Sequence, residues 1–388
     1  MKINTGPWVD GDEFFGRERE LKNLAAVMQN KRASVFIPGP RRIGKTSLVK
    51  EFIRRNKDKY KFIYLDLERR HSITELCGDL IKEIEKNHSG LIKSKLKFAG
   101  LWNKLAEMVP KLSISGIVDI ETGKISIEAK ETLDMMEAVF EELHKQDFIF
   151  AFDEFADFLI DIKKKGIEEV QFFLSWLRGL RQEQKIRLII TGSINIISAI
   201  EELNVSDLMN DLVDIEIFPL NKDEIKTLLQ QLSGETNITL TEDAMEFAVE
   251  RLSDGIPFFV QLFASGLAVY KEAKEMVYDT PGLKEIYYKI TGRQHKEFID
   301  LHSRLKEHLL PDRFKAAKTI LAHLASDPMT FDDLWPFVED ILTEKKSLHT
   351  ILKRLSDESY ILHEKRYYRF VSPMLADWWN NSYDWEKE

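Results

Sequence analysis

The sequence has few of the features that mark secreted, membrane or zinc-cluster proteins. Its single cysteine, Cys77, excludes an intrachain disulfide and a cysteine-based zinc cluster, and is expected to be a buried apolar residue. No apolar run reaches the roughly 18 residues of a membrane-spanning helix. The N-terminal residues lack the basic and apolar segments of a secretion signal. These absences favour a cytoplasmic protein.

The sequence also lacks a positive charge excess, internal repeats and low-complexity tracts. Its formal net charge is -9, which excludes indiscriminate binding to nucleic acid but leaves a local basic surface open. The chain has 388 residues. Because single cores stop growing at about 250 to 300 residues, we expect two or three domains.

A phosphate-binding loop is predicted by "PGPRRIGKTS" (Pro38–Ser47), which fits the pattern GxxxxGK[ST]. The loop follows the β-branched run "ASVFI" and precedes "TSLVKEFIRRN", whose apolar residues have helical spacing. In such a loop, backbone N–H groups and a helix N-terminus face the phosphates. We therefore expect ATP contacts from the whole loop, namely Gly39, Pro40, Arg41, Arg42, Ile43, Gly44, Lys45, Thr46 and Ser47.

The residues predicted to carry the hydrolytic chemistry are Lys45, Asp153, Glu154 and Ser193, with Thr46 and Asp153 as metal ligands. Lys45 is expected to reach the β- and γ-phosphates, and Thr46 to bind Mg²⁺. Downstream, "FIFAFDEF" (Phe148–Phe155) places Asp153 and Glu154 after a buried strand. Asp153 is expected to hold Mg²⁺ through water, and Glu154 to act as the general base. Taken alone, two consecutive acids at this place are also typical of a surface turn.

A further strand, "IRLIITGS" (Ile186–Ser193), ends in small polar residues. Ser193 is the candidate that contacts the γ-phosphate, with Asn195 as the second choice, although "TGS" also fits a simple strand-ending turn. Another strand, "KFIYLDLE", carries Asp66 near its end, where a capping role is expected.

These motifs, together with "FFGRERELKNL" (Phe14–Leu24), resemble the archaeal-type ATPases of the STAND group, which are relatives of AAA+ proteins and archaeal replication initiators. The resemblance implies that Phe15, Gly16 and Arg17 contact the nucleotide base. It also implies that Gly255 and Pro257, in "DGIP", contact the nucleotide from a lid. A typical AAA+ lid carries an arginine that is missing here, and "DGIP" also reads as a helix stop followed by a restart.

Three domains are predicted along the chain. Residues 1–218 alternate strands and helices, which predicts an α/β P-loop domain with a parallel sheet and helices on both faces. A β-hairpin insertion is expected at about 111–130, either as a plain structural hairpin or as a grip on a partner. Residues 219–305 are expected to form a helical lid, and residues 306–388 a winged helix-turn-helix.

The predicted winged helix carries a local positive charge. Residues 343–370 contain seven basic and four acidic residues, a net of +3. Such a face favours contacts to DNA phosphates, for which the candidates are Lys346, His349, Lys353, Arg354, Lys365 and Arg366. Winged helices also serve as protein-interaction modules, so this alternative stays open.

Two functions follow from these patterns. The first is an Mg²⁺-dependent ATPase whose nucleotide-driven domain movement acts on DNA. The second is a slow STAND-type nucleotide switch that binds a protein partner. Self-association is compatible with either. Arg178, Arg181 and Arg187 lie in the region where AAA+ relatives carry an arginine that acts on a neighbouring copy, although solvated residues at a helix end fit the same positions and the sequence does not identify such an arginine.

Overall fold

A computed structural model describes residues 8–94, 127–192, 206–271, 274–292 and 296–382, with Ile3, Gly6 and Asn103 as single residues. The chain divides into two compact units. The sheet unit comprises residues 17–39 and 45–217, and the helical unit comprises residues 1–16, 40–44 and 218–388. None of the described helices is both long and apolar enough to cross a membrane.

The sheet unit is built on five parallel strands in the order β2-β3-β4-β1-β5. The strands are β1 (Val35–Pro38), β2 (Lys61–Asp66), β3 (Phe148–Asp153), β4 (Leu188–Gly192) and β5 (Val213–Asp214). Its helices are α1 (Glu18–Met28), α2 (Lys45–Asn56), α3 (Ile73–Ser94), α4 (Ile127–His144), α5 (Phe155–Lys163) and α6 (Ile167–Gln182). The predicted α/β fold with a parallel sheet is confirmed.

Both faces of this sheet are covered, because successive side chains of a strand point to opposite sides. Strands β3 and β4 are buried along their whole length, as continuous apolar runs predict. Phe150 and Phe152 of β3 belong to one hydrophobic cluster with residues of α3, α4, α5 and α6. Phe62 of β2 lies on the other face, where its ring contacts that of Phe52 in α2 at 5.9 Å between centroids.

The predicted hairpin insertion falls largely on residues 111–126, which lie outside the described residues. Its last four residues, 127–130, form the start of α4 and not a strand, so this part of the prediction is wrong. The reason is the apolar spacing that follows in α4, where Leu133, Met136, Val139 and Phe140 are buried.

The helical unit holds the remaining elements. Its helices are α7 (Lys222–Thr236), α8 (Glu242–Arg251), α9 (Pro257–Val269), α10 (Thr280–Ile290), α11 (Lys296–His308), α12 (Pro311–Leu324), α13 (Phe331–Leu334), α14 (Lys345–Asp357) and α15 (Pro373–Ser382). Its strands are β6 (Ile238–Leu240), β7 (Met276–Tyr278), β8 (Met329–Thr330), β9 (Ile361–Glu364) and β10 (Tyr367–Phe370).

One part of this unit differs from the expected all-helical lid. Strands β6 and β7 pair in parallel between α7 and α10. Each strand has only three residues, which is too short for an alternating pattern to stand out from the helical periodicity around it. The prediction that residues 219–305 are helical throughout is therefore wrong at these two places.

The C-terminal part shows three helices, α12 to α14, followed by a hairpin of β9 and β10, with β8 as a third strand. Lys365 at the hairpin turn has a positive φ of 58°. Helix α15 anchors this part to α8 and α10, because Asp377 accepts hydrogen bonds from the Tyr287 hydroxyl at 2.6 Å and from Arg251 at 3.2 Å. Trp378 is buried and its ring stacks on that of Phe298, at 5.2 Å between centroids.

Candidate active site

The phosphate loop joins β1 to α2, in the order that the sequence predicts. Arg42 and Gly44 have positive φ angles of 69° and 103°. A β-carbon at Gly44 would meet nothing within 4 Å, so glycine is favoured there by backbone conformation and not by lack of space. Lys45 is buried, and its ammonium group donates to the Gly39 carbonyl at 2.9 Å. Thr46 and Ser47 follow in the first turn of α2.

Asp153 ends strand β3 and is only 2% exposed. Its Oδ2 accepts a hydrogen bond from the Tyr64 hydroxyl at 2.7 Å. Its Oδ1 accepts from the Thr191 hydroxyl and from the Glu154 amide, the latter at 3.2 Å. A buried carboxylate without partners would be costly, so these donors satisfy its oxygens and fix its orientation.

Glu154 follows directly and has a left-handed backbone, with φ of 53° and ψ of 41°. Its amide also approaches the Thr191 hydroxyl oxygen at 3.3 Å. For a residue other than glycine this conformation costs about 1 to 3 kcal/mol and is concentrated at functional sites. This conformation ends the path of strand β3 and places Glu154 at the carboxyl edge of the sheet. Ligands of parallel sheets bind at this edge.

Sequence reasoning missed Tyr64 and Thr191. Tyr64 pairs with Ala151 in the β2–β3 register, and Asp66 pairs with Asp153 itself. The available signal was a tyrosine hydroxyl within the apolar middle of the strand "KFIYLD", because a half-buried tyrosine hydroxyl usually finds a partner. Thr191 lies two positions before the predicted Ser193. Ser193 and Asn195 lie outside the described residues.

Burial and the neighbouring charge of Asp153 raise the pKa of Tyr64 well above its usual value. The hydroxyl therefore keeps its proton at neutral pH and acts as a donor. The Lys50 ammonium lies 3.7 Å from the centroid of the Tyr64 ring. Asp66 has the capping role expected of it, because its Oδ1 accepts from the Glu68 amide at 3.0 Å.

The oxygen ligands available at this site, the Asp153 carboxylate and the Thr46 hydroxyl, fit a magnesium ion that is held together with nucleotide phosphates. Magnesium in nucleotide sites is bound through one or two carboxylates, water and phosphate oxygens. Among the described residues there is no cluster of three or more His, Cys, Asp or Glu side chains that would hold a metal by itself. Asp153 and the Thr46 hydroxyl are the groups of the sheet unit that would serve a nucleotide-bound ion.

In the helical unit, two residues predicted to contact the nucleotide converge on Leu220. The Leu220 amide donates to the Gly255 carbonyl at 2.8 Å, and a β-carbon at Gly255 would lie 2.1 Å from the Leu220 oxygen. Gly255 also has a positive φ of 67°, so no other residue fits there. A β-carbon at Gly16 would lie 3.9 Å from the Leu220 side chain. Pro257 is the first residue of α9.

The middle of the phosphate loop also belongs to the helical unit. The Arg41 amide donates to the Ser359 hydroxyl oxygen at 3.0 Å, and the Arg41 side chain lies 4.0 Å from the buried Glu358 carboxylate. The Arg42 guanidinium lies 3.8 Å from the Phe258 ring centroid and 3.9 Å from the Glu297 carboxylate. The two loop arginines thus contact α9, α11 and the turn between α14 and β9.

The remaining predicted base contacts are placed differently. Arg17 belongs to the sheet unit, has a left-handed backbone and is largely buried, with its Nη1 at 3.4 Å from the Glu20 carboxylate. Phe15 belongs to the helical unit and is half-buried. Their roles at the base stay predictions.

The predicted DNA-contacting residues fall into two groups. Lys346, His349, Lys365 and Arg366 are exposed on α14 and on the β9–β10 turn. Lys353 and Arg354 are half-buried, and Arg354 forms an ion pair with Glu358 at 2.9 Å. The first group is available to a ligand in its present position, whereas Arg354 already serves the packing of α14.

Two of the three arginines considered for action on a neighbouring copy are buried within the sheet unit. Arg181 binds the Asp211 carboxylate with two hydrogen bonds, at 2.8 and 2.7 Å, and the Leu208 carbonyl at 2.7 Å. Arg187 is 1% exposed and lies over the Tyr60 ring. Arg178 lies 3.6 Å from the Asp207 carboxylate.

Known proteins share parts of this sequence. An ATP-binding protein of Methanocaldococcus jannaschii is 30% identical over 167 residues, which are 42% of this chain and 42% of that protein. An ATP-binding protein of Pyrococcus abyssi is 42% identical over 55 residues, which are 14% of this chain and 16% of that protein. The chain spans less than half the length of these curated relatives.

Solved structures share the fold along nearly the whole chain. A Walker-type ATPase of Pyrococcus abyssi superposes with a TM-score of 0.66 at 20% identity, over 98% of this chain and 99% of that chain. The ORC2 protein of Aeropyrum pernix, in ADPNP and ADP complexes, has a TM-score of 0.58 at 14% identity, over 97% of this chain and 95% of that chain. At these identities the likeness establishes the fold alone.

The decisive comparison is with a protein family. Residues 14–262, more than half of the chain, match the family described as an ATPase domain predominantly from Archaea. The matched range contains the phosphate loop, Asp153 and Glu154. The expectation of an archaeal P-loop ATPase is therefore confirmed, and the chain belongs to this archaeal ATPase family.

Proposed function

We propose that this ATPase is magnesium-dependent and that its nucleotide state controls how the C-terminal helices and hairpin act on DNA. The contact between the Arg41 amide and the Ser359 hydroxyl carries the proposal. Ser359 lies in the turn between α14 and β9. Helix α14 presents Lys346 and His349, and β9 leads into the turn that presents Lys365 and Arg366. One turn is therefore in contact with the phosphate loop and directly continuous with the proposed DNA-binding elements.

The hydrolytic roles follow from the chemistry of the side chains. Lys45 would place a fixed positive charge against the β- and γ-phosphates, and Asp153 together with Thr46 would hold the magnesium ion, Asp153 through water. Magnesium, when bound with the nucleotide, neutralises charge that develops on the phosphates. Glu154 accepts the proton of the attacking water as general base.

The proposed coupling follows from the contacts of Arg41 and Arg42. When phosphates bind, the backbone N–H groups of the loop reorient toward them. A change at Arg41 alters the hydrogen bond to Ser359, and a change at Arg42 alters its packing on Phe258. The nucleotide state is thereby transmitted to the start of α9 and to the turn after α14.

The proposed output is binding to DNA by a winged helix-turn-helix. Three helices followed by a hairpin support this assignment, with α14 as the recognition helix and the β9–β10 turn as the wing. Lys346, Lys365 and Arg366 are exposed cations on these two elements. Because the chain carries a net charge of -9, DNA affinity depends on this local concentration of positive charge.

The test combines DNA binding with ATP turnover. DNA affinity is measured by fluorescence anisotropy for single-stranded, duplex and branched DNA, with ADP or a non-hydrolysable ATP analogue. We expect affinity to differ about fivefold or more between nucleotide states, and DNA to stimulate turnover. Ser359→Ala should reduce that difference, while the exposed control Ser326→Ala should not. Absence of DNA binding in every nucleotide state contradicts the proposal.

The alternative function is a slow STAND-type switch that binds a protein partner. The ion pairs of Arg354 with Glu358 and of Arg369 with Glu364 favour it, because they neutralise part of the basic surface. In this case turnover stays low and insensitive to DNA, while Ser359→Ala still changes the relative affinity for ATP and ADP.

A further inference from the structure

Tyr64 links α2 and β3 at the catalytic edge, by which we mean the carboxyl edge of the sheet with Asp153 and Glu154. Its ring lies beneath the Lys50 ammonium of α2, the helix that starts with Lys45. Its hydroxyl donates to Asp153 Oδ2 at the end of β3. The β2–β3 pairing is in register along all six residues of β2, so the position of Tyr64 beside Asp153 is fixed by the sheet backbone.

The hydrogen bonds of Asp153 distinguish its two oxygens. An ionised carboxylate offers about four acceptor positions, two on each oxygen. Oδ1 accepts from the Thr191 hydroxyl and from the Glu154 amide, which uses both of its positions. Oδ2 accepts from Tyr64 and keeps one position for a further donor.

We propose that Tyr64 is a positioning residue that orients Asp153 Oδ2 to receive a metal-bound water. The proposal rests on the magnesium-dependent function proposed above. The Tyr64 hydroxyl donates to Oδ2 at 2.7 Å, so it occupies one acceptor position of this oxygen and leaves the other for an additional partner. The Lys50 cation over the ring holds the tyrosine in place, since a cation over an aromatic face is attracted by the negative charge of that face.

The proposal predicts a specific defect. Without the Tyr64 hydroxyl, Asp153 is still held at Oδ1 by two donors, but Oδ2 is no longer oriented. Partners that orient a metal ligand typically contribute about 10- to 100-fold to metal affinity. Nucleotide affinity in the absence of metal depends on the phosphate loop and is expected to stay unchanged.

The experiment uses the full chain with Tyr64→Phe and the matched control Tyr60→Phe. Tyr60 is buried, and its hydroxyl donates to the Met28 carbonyl at 3.1 Å, away from Asp153. Fluorescent ATP is titrated with EDTA and at increasing Mg²⁺ concentrations, and the Mg²⁺ concentration for half-maximal turnover is recorded. We expect Tyr64→Phe to raise this concentration about tenfold or more, with unchanged metal-free binding. Tyr60→Phe should change neither value.

The possible outcomes distinguish the role of Tyr64 from the proposed magnesium-dependent function. An unchanged Mg²⁺ midpoint in a folded Tyr64→Phe protein overturns the positioning role. Loss of metal-free binding in the same protein also overturns it, because the defect then lies in the phosphate loop. A parent protein with no Mg²⁺ dependence contradicts the proposed magnesium-dependent function and not the role of Tyr64 alone.

A second pair of variants keeps the test valid if Tyr64→Phe melts below the assay temperature. 4-Aminophenylalanine and 4-fluorophenylalanine at position 64 both fill the space of the tyrosine, and only the first donates a hydrogen bond. The amine is expected to restore the Mg²⁺ midpoint of the parent and the fluorine is not. Equal midpoints for the two overturn the proposal.

Discussion

The catalytic edge of the sheet and the basic surface of α14 and the β9–β10 turn differ in how their charges are held. Asp153 is buried and accepts three hydrogen bonds, from Tyr64 on β2, from Thr191 on β4 and from the amide of the next residue in the chain. Lys346, Lys365 and Arg366 are exposed on the surface. The first region positions individual atoms, as catalysis requires. The second offers charge density, which suffices for contacts to a phosphate backbone.

The largest effect is expected at the catalytic edge, from Glu154→Gln. The amide keeps the shape of the side chain but cannot accept a proton, so turnover should fall about 10²- to 10⁴-fold while ATP binding is retained. Single-turnover kinetics and calorimetry measure the two quantities. Glu168→Gln, an exposed acid at the start of α6, is the control. Turnover within twofold of the parent, a difference of only about 0.4 kcal/mol, excludes Glu154 as general base.

Lys45→Ala should produce the next largest effect. A hydrogen bond to a charged group contributes about 1.5 to 3 kcal/mol, so ATP affinity should fall about 10- to 100-fold. Calorimetry measures it, with the exposed Lys163→Ala as control. Equal ATP binding by Lys45→Ala and the parent means that the phosphate-loop assignment is wrong.

The basic surface is tested by a triple variant, in which Ala replaces Lys346, Lys365 and Arg366. DNA affinity should weaken at every sequence, and its logarithmic salt dependence should flatten by about 0.9 unit per lost phosphate contact. ATP binding should be unaffected. A control triple variant changes the exposed residues Lys57, Lys163 and Lys165. Identical salt slopes for parent and triple variant exclude this surface as the DNA contact and favour the protein-binding switch.

A variant with five substitutions sharpens this test. Lys353 and Arg354 are half-buried, and Arg354 is paired with Glu358. Adding Lys353→Ala and Arg354→Ala to the triple variant should therefore lower the melting temperature more than it lowers DNA affinity. A further flattening of the salt slope without loss of stability would show that these two side chains reach phosphates as well.

The smallest expected effect concerns a second enclosed carboxylate, Asp254, which accepts a hydrogen bond from the Ile256 amide at 2.8 Å. Burial raises the pKa of Asp254 to about 7. Because its folded pKa exceeds the unfolded value, stability is lost as pH rises through about 4 to 7. Asp254→Asn keeps the acceptor without the charge, so its melting temperature should exceed that of the parent more at pH 8 than at pH 4. Parallel pH profiles contradict this shift.

The sequence predicted where the phosphate loop, Asp153 and Glu154 lie because their patterns are local, whereas the catalytic roles of these residues stay predictions. GxxxxGK[ST] sets Lys45 and Thr46 by spacing alone, and an apolar run followed by two acids identified Asp153 and Glu154. Tyr64 and Thr191 were missed, since their contact with Asp153 depends on which strands are neighbours. That order, β2-β3-β4, is a property of the fold.

Long-range contacts and very short elements were the other limits. The Arg41 amide and Ser359 are 318 positions apart, and no pattern in either segment indicates the other. Strands β6 and β7 contain three residues each. By contrast, residues 306–388, predicted as a winged helix-turn-helix, do contain the three helices α12 to α14 followed by the β9–β10 hairpin, whereas the assignment as a winged helix stays a prediction.

The path of the chain through the phosphate loop has a practical consequence for truncation. The flanks of the loop, up to Gly39 and from Lys45, belong to the sheet unit, whereas Pro40–Gly44 belong to the helical unit. A fragment that ends at Ile217 retains Lys45, Asp153 and Glu154. It loses Phe258, Glu297 and Ser359, the partners of Arg41 and Arg42. The isolated N-terminal segment is therefore a poor substitute for the whole chain in ATPase assays, because its loop has lost the contacts that define its conformation.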